Sequence, residues 1–118
     1  MNKLKPEDFA LFDITPTESK VYIKLASLGE SKIGEIIKQT GLHRGTVFNV
    51  LNSLIKKGFV CFKDLDKTKF YSISGKEIFS IIADEKKKIL TKQEKKIEEI
   101  IKKIEKKETS SDEQNVKV

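Results

Sequence analysis

The chain has no tryptophan, one cysteine, one histidine, one methionine and two prolines among its 118 residues. The lone Cys61 permits no internal disulfide and no cysteine-based metal site. Beside Val60 and Phe62 in a β-prone run, it reads as a structural thiol. His43, the only histidine, has no Cys or acid cluster beside it, so no metal is expected there. It reads as a helix cap or a phosphate contact. The N-terminus lacks the basic-then-apolar pattern of a signal peptide. No apolar run approaches the length of a membrane span. A reducing cytoplasm and no membrane partner are therefore the expectation. No nucleophile–base pair, paired-carboxylate site or glycine-rich phosphate loop stands out. Catalysis and a cofactor are both unexpected, because nothing furnishes a catalytic pocket.

Charge is what the chain has in quantity. Charged residues make up 36% and the net charge is +6. The basic excess is spread: residues 1–58 hold nine Lys or Arg against six acids, 59–74 three against two, and 75–118 twelve against ten. Such an excess suits nucleic acid or an acidic surface. The length fits one small domain, residues 1–74, followed by a helix over 75–108. Residues 109–118 are short and polar and are expected to be disordered.

The stretch Gly41–Val60 organises the domain. Val47, Val50, Leu51, Leu54 and Ile55 recur at helical spacing and make one apolar face. The opposite face carries Gly45, Asn49, Asn52 and Lys56, with Thr46 and Ser53 at its edge. No carboxylate lies among them, as a surface meant for a polyanion requires. Asn can also pair twice with a base edge. Ile33, Ile36 and Ile37 mark a shorter helix ending at Gln39-Thr40-Gly41. Two helices joined by a tight glycine turn predict a helix-turn-helix, with the second helix as reader.

Upstream, Pro6–Phe12 predicts a short helix whose Phe9 and Phe12 share a face, turned either to the core or to a partner subunit. Thr15-Pro16-Thr17-Glu18 spells a capping box with proline at the first helical position. Val21, Tyr22, Leu25 and Leu28 form its buried stripe, and Gly29 ends it. Glu30-Ser31-Lys32 suits a very short strand and the next helix cap. Downstream, Gly58 ends the reader helix. Phe59–Lys63 and Lys69–Ile73 are β-prone, with Asp64–Thr68 as the turn between them. A hairpin directly after a reader helix is the wing of a winged helix, and Lys63, Lys67 and Lys69 put positive charge near its tip.

Ser74-Gly75-Lys76-Glu77 reads as a second capping box opening a long helix. Ala83, Leu90, Ile97 and Ile104 fall seven apart, with Ile100 and Gln93 each three after a member. This is a heptad seam with one polar member, weakest where three lysines run together at 86–88. Exposed isoleucines would be unfavourable, so self-pairing into a homodimer is expected.

Ile14–Tyr22, Gly34-Glu35-Ile36, Gly41–Phe48 and Leu54–Val60 together resemble the TrmB-like transcriptional regulators, a largely archaeal winged-helix group. The likeness covers roughly residues 8–107. It implies a dimeric regulator that docks its reader helix in the major groove of double-stranded DNA. On that likeness His43, Arg44, Thr46, Phe48 and Asn49 match the docking segment. Phe48 stands where the family often has Tyr, and the hairpin exit Ser72–Gly75 lacks the proline common there. Longer members add a C-terminal sugar-binding domain after the coiled coil. This chain stops where that domain would begin, so no small-molecule effector is expected.

The expected architecture is thus mainly α with a small β-hairpin: a winged helix-turn-helix followed by a long coiled-coil helix. The expected function is sequence-specific DNA binding as a dimeric regulator. Two other readings stay open at this point: a winged-helix docking module in a protein assembly, and an architectural DNA-binding protein without sequence preference.

Overall fold

The computed structural model describes residues 3–114, with side chains through residue 107. The chain divides into two compact units, residues 1–80 and 81–118. The first begins with a 3₁₀ helix, Pro6–Phe12. Three α-helices follow: α1 (Pro16–Leu28), α2 (Ile33–Thr40) and α3 (Arg44–Lys57). Then come the strands β1 (Val60–Leu65) and β2 (Thr68–Ile73), and the long helix α4 (Glu77–Gln114) begins.

Local chemistry sets the helix ends. The Thr15 hydroxyl accepts from the Glu18 amide, and the Glu18 carboxylate accepts from the Thr15 amide. Both halves of the expected capping box are therefore made. Gly41 and Gly58 close α2 and α3 at φ 72° and 90°. A side chain there would be strained. Ser31 does not cap α2: its hydroxyl donates to the Gly29 carbonyl at 2.8 Å, and Lys32 holds the cap position. The Ser31 backbone pairs with Tyr71 instead, adding a one-residue bridge to the hairpin.

The three helices pack around Val21, Leu25, Ile36, Val47, Leu51 and Leu54, all sealed from water. Each such side chain contributes about 1.5–3 kcal/mol by leaving solvent. Glu18 sits at the seam between α1 and α3. Besides its cap, its carboxylate accepts from the Ser53 hydroxyl and the Lys57 ammonium. Lys57 also donates to the Asp13 carbonyl at 2.6 Å. Burial alone would raise the Glu18 pKa. The Lys57, Ser53 and Thr15 hydrogen bonds and the Lys57 charge outweigh that and hold it below the ordinary value.

A carboxyl depressed in the folded state stabilises the fold above its unfolded pKa and loses that contribution as pH falls through the folded one. Glu18→Gln should therefore cost about 1–2 kcal/mol at pH 7. The deficit should shrink below about pH 4.5, where the unfolded carboxyl takes up its proton. Urea melts of parent and variant at pH 7 and pH 3 measure it. A gap that stays constant would mean the charged form adds nothing.

The 3₁₀ helix turns its aromatics inward. Phe9, Phe12, Tyr22, Phe59 and Phe79 form one cluster, with centroids 5.0–6.3 Å apart. This decides the placement of Phe9 and Phe12 in favour of the core.

The hairpin is antiparallel, in register from Val60↔Ile73 to Leu65↔Thr68. β1 starts at Val60, one residue after the expected Phe59, but both strands reach further toward the turn, which shrinks from five residues to Asp66-Lys67. Both have positive φ, 49° and 66°. That is the geometry of a tight hairpin turn, usually signalled by Asn-Gly.

Helix α4 starts at Glu77, two residues after the expected start. The first bonds into it run from the amides of Ile78 and Phe79 to the carbonyls of Gly75 and Lys76. It reaches Gln114, past the expected boundary at 108, since no Gly or Pro follows Gly75 to stop it. Residues 115–118, the end of the expected tail, lie outside the described residues. Ala83, Leu90, Ile97, Ile100 and Ile104 are all exposed, and so are Ile89 and Ile101, which the heptad leaves out. Among the described residues, no helix is long and apolar enough to cross a membrane.

Candidate nucleic-acid interface

Helix α3 buries Val47, Val50, Leu51 and Leu54 and keeps Ile55 half-buried. That anchoring turns Arg44, Gly45, Thr46, Phe48, Asn49, Asn52 and Lys56 outward, all exposed. Ser53, at the edge of this face, is engaged inward with Glu18. His43 occupies the N-cap with extended backbone and no side-chain cap bond, and it too is exposed.

Seven of the expected site residues line two surfaces that share α3. Arg44 and Phe48 line an open groove with Lys67, Lys69 and Phe70 of the hairpin. Asn49, Asn52 and Lys56 line a second depression further along α3. His43 at the N-cap, Gly45 and Thr46 in the first turn of α3, and Lys63 of β1 line neither. Electrostatics links α3 to the hairpin: burial and the Asp64 charge push the Tyr71 phenol up, while the Arg44 charge pulls it down.

The three wing lysines are not equivalent. Lys67 is at the turn itself. Lys69 lies over the Phe62 ring at 4.4 Å, a cation–π contact that leaves its charge exposed. Lys63 is paired with Glu30 at 3.0 Å. Lys32 extends over Phe70 at 5.7 Å from the ring centroid and lines the same groove. Sequence reading missed Lys32, because only the Ser31–Tyr71 bridge brings the start of α2 beside β2. Glu30 and Glu35 also line the groove, so its potential is mixed, whereas the outward face of α3 has no acid. Among the described residues, no group of three or more His, Cys, Asp or Glu could hold a metal.

Comparison with known proteins bears on the family and the fold. Residues 9–76 match the family model described as "Sugar-specific transcriptional regulator TrmB". A 49-residue stretch is 41% identical to the HTH-type sugar sensing transcriptional regulator TrmBL1 of Pyrococcus furiosus. It makes up 42% of this chain but only 14% of that protein. Among solved structures, TrmBL2, described as an archaeal chromatin protein with a novel mode of DNA binding, superposes with a TM-score of 0.66. The match is 21% identical and covers 96% of this chain and 42% of that one. The ST1889 protein of Sulfolobus tokodaii is 26% identical with a TM-score of 0.58, over 75% and 88% of the two chains. By its residues 9–76 and by its winged-helix fold, this chain belongs to the TrmB family of transcriptional regulators.

Proposed function

We propose that the chain is a sequence-specific DNA-binding regulator that acts as a homodimer through α3 and the hairpin. The observation that carries this is the solvent face of α3. Gly45, Asn49, Asn52 and Lys56 are exposed with no carboxylate among them, and Arg44 stands at the docking end. Arg and Asn are the side chains that make paired bonds to guanine and adenine edges. Phe48, 47% exposed, would give an apolar contact to a thymine methyl. Lys67 and Lys69 would reach phosphate beside the groove that α3 enters. Regulation is then by occupancy, the dimer covering a promoter element. Cytoplasmic action is part of this reading.

Gel-shift titration with random and genome-selected DNA at two salt concentrations tests it. A regulator should prefer a few sequences. Uniform binding to all would indicate an architectural protein, and no binding a protein-docking module.

The wing makes a separate prediction. Each phosphate contact adds about 0.9 to the slope of log K against log salt. Replacing Lys67 and Lys69 together by Ala should lower that slope by roughly two. Lys63→Ala should lower it less, because the Lys63 ammonium is already engaged by Glu30. An unchanged slope in the Lys67/Lys69 variant would mean the wing points away from DNA.

A further inference from the structure

The apolar side chains of α4 follow an 11-residue repeat more closely than a heptad. Ile78, Ile89 and Ile100 stand eleven apart, as do Phe79, Leu90 and Ile101. Ile82, Gln93 and Ile104 make a third row. With Ile97, these rows take in every large apolar side chain from 82 to 107, including Ile89 and Ile101. An 11-residue period is 3.67 residues per turn, so paired helices would run nearly straight with a slight right-handed coil. The stripe keeps 45–56% of each of Ile89, Leu90, Ile97, Ile100, Ile101 and Ile104 in water.

The charges beside the stripe say what covers it. Three seam residues have lysine before and glutamate after: Lys92-Gln93-Glu94, Lys96-Ile97-Glu98 and Lys103-Ile104-Glu105. Successive residues are about 100° apart around a helix. At these three positions one flank of the stripe is therefore lysine and the other glutamate. Where the order inverts, it inverts on both flanks at once: Glu99 precedes Ile100-Ile101 and Lys102 follows, and Glu85 and Lys87 flank Lys86, which lies on the same line as Ile97. The contact of Lys96 with Glu99 on its own helix is 3.9 Å long and well exposed, too weak to hold Lys96 away from a partner.

The geometry points to a second copy of this chain as the occupant, paired parallel and in register. This rests on the proposed homodimer and adds its orientation. A two-fold axis along the helices sets the lysine flank of each against the glutamate flank of the other. Lys92, Lys96 and Lys103 then face Glu94, Glu98 and Glu105 across the interface, and Glu85 faces Lys87. An antiparallel pair would set lysine flank against lysine flank. Parallel pairing also brings the two residue-81 ends together. Antiparallel pairing would part them by roughly 40 Å, at 1.5 Å per residue.

Two variants of the full chain test the orientation. Cys61→Ser with Ile104→Cys should oxidise quickly to a disulfide-linked dimer. If instead it links only when mixed with Cys61→Ser/Ile82→Cys, the pair is antiparallel and the inference falls, while the proposed dimer stands. Lys92→Glu/Lys96→Glu/Lys103→Glu sets glutamate against glutamate in a parallel pair. Sedimentation should show it dissociating at least tenfold more readily at low salt, with the loss recovered in high salt. An unchanged dimer overturns the parallel arrangement. A parent chain that sediments as a monomer at tens of micromolar overturns the orientation and the dimer together.

Discussion

Phe59→Ala should lower the stability of the protein by about 3–5 kcal/mol, the range for truncating a fully buried phenylalanine. Phe59 is 1% exposed and follows the glycine that ends α3. Its ring meets Phe12 and Tyr22 edge-on at 6.3 Å and Phe79 at 5.2 Å. It therefore joins the 3₁₀ helix, α1 and the start of α4 at one point. Its amide is held by the Leu54 carbonyl and its own carbonyl by the Ser74 amide, so the backbone cannot shift to fill the gap. A small domain has only about 5–15 kcal/mol of net stability, so the variant should be close to unfolding at 37 °C. Phe79→Ala, at a half-buried position, should cost clearly less. Urea melts of both measure it. A Phe59→Ala cost under about 1.5 kcal/mol would mean that the cluster is not tightly packed.

The aromatic cluster also marks where the sequence stopped being informative. Thr15-Pro16-Thr17-Glu18, the glycines after α2 and α3, and the apolar stripe of α3 are local signals, and each element formed where its signal stood. The destination of Phe9 and Phe12 is a tertiary fact: a 3₁₀ turn can face a core or a partner with the same residues. Glu18 read as a cap because capping is local. Its bonds to Ser53 and Lys57 span 35 and 39 residues and leave no trace in spacing. The hairpin turn is shorter than the sequence suggests because Asp66-Lys67 adopts two positive φ values without the Asn-Gly pair that normally announces them. In the candidate interface, the acid-free face of α3 was legible because burial of the opposite stripe dictates it. The inequality of Lys63, Lys67 and Lys69 was not, since it depends on Glu30 and Phe62 being brought beside them.

Arg44→Ala and Asn49→Ala should each weaken binding to specific DNA by roughly ten- to a hundred-fold, the worth of a lost paired base contact of about 1–3 kcal/mol. Both side chains are exposed on a helix whose other face is sealed, so truncation should leave the fold intact. Their positions divide the labour. Arg44 is at the first residue of α3, in the groove with Phe48 and the wing, while Asn49 is more than one turn further along, with Asn52 and Lys56. Arg44 carries charge as well as donors, so its loss should weaken binding to random DNA and lower the salt slope by about one. Asn49 is neutral, so its loss should leave both unchanged and should reduce only the preference for specific DNA over random DNA. Competition gel shifts with the two DNAs at two salt concentrations separate these outcomes. If Asn49→Ala weakens random and specific DNA alike, Asn49 contacts backbone instead of a base. If both variants bind specific DNA as tightly as the parent, α3 is not the reader and the proposed interface is wrong.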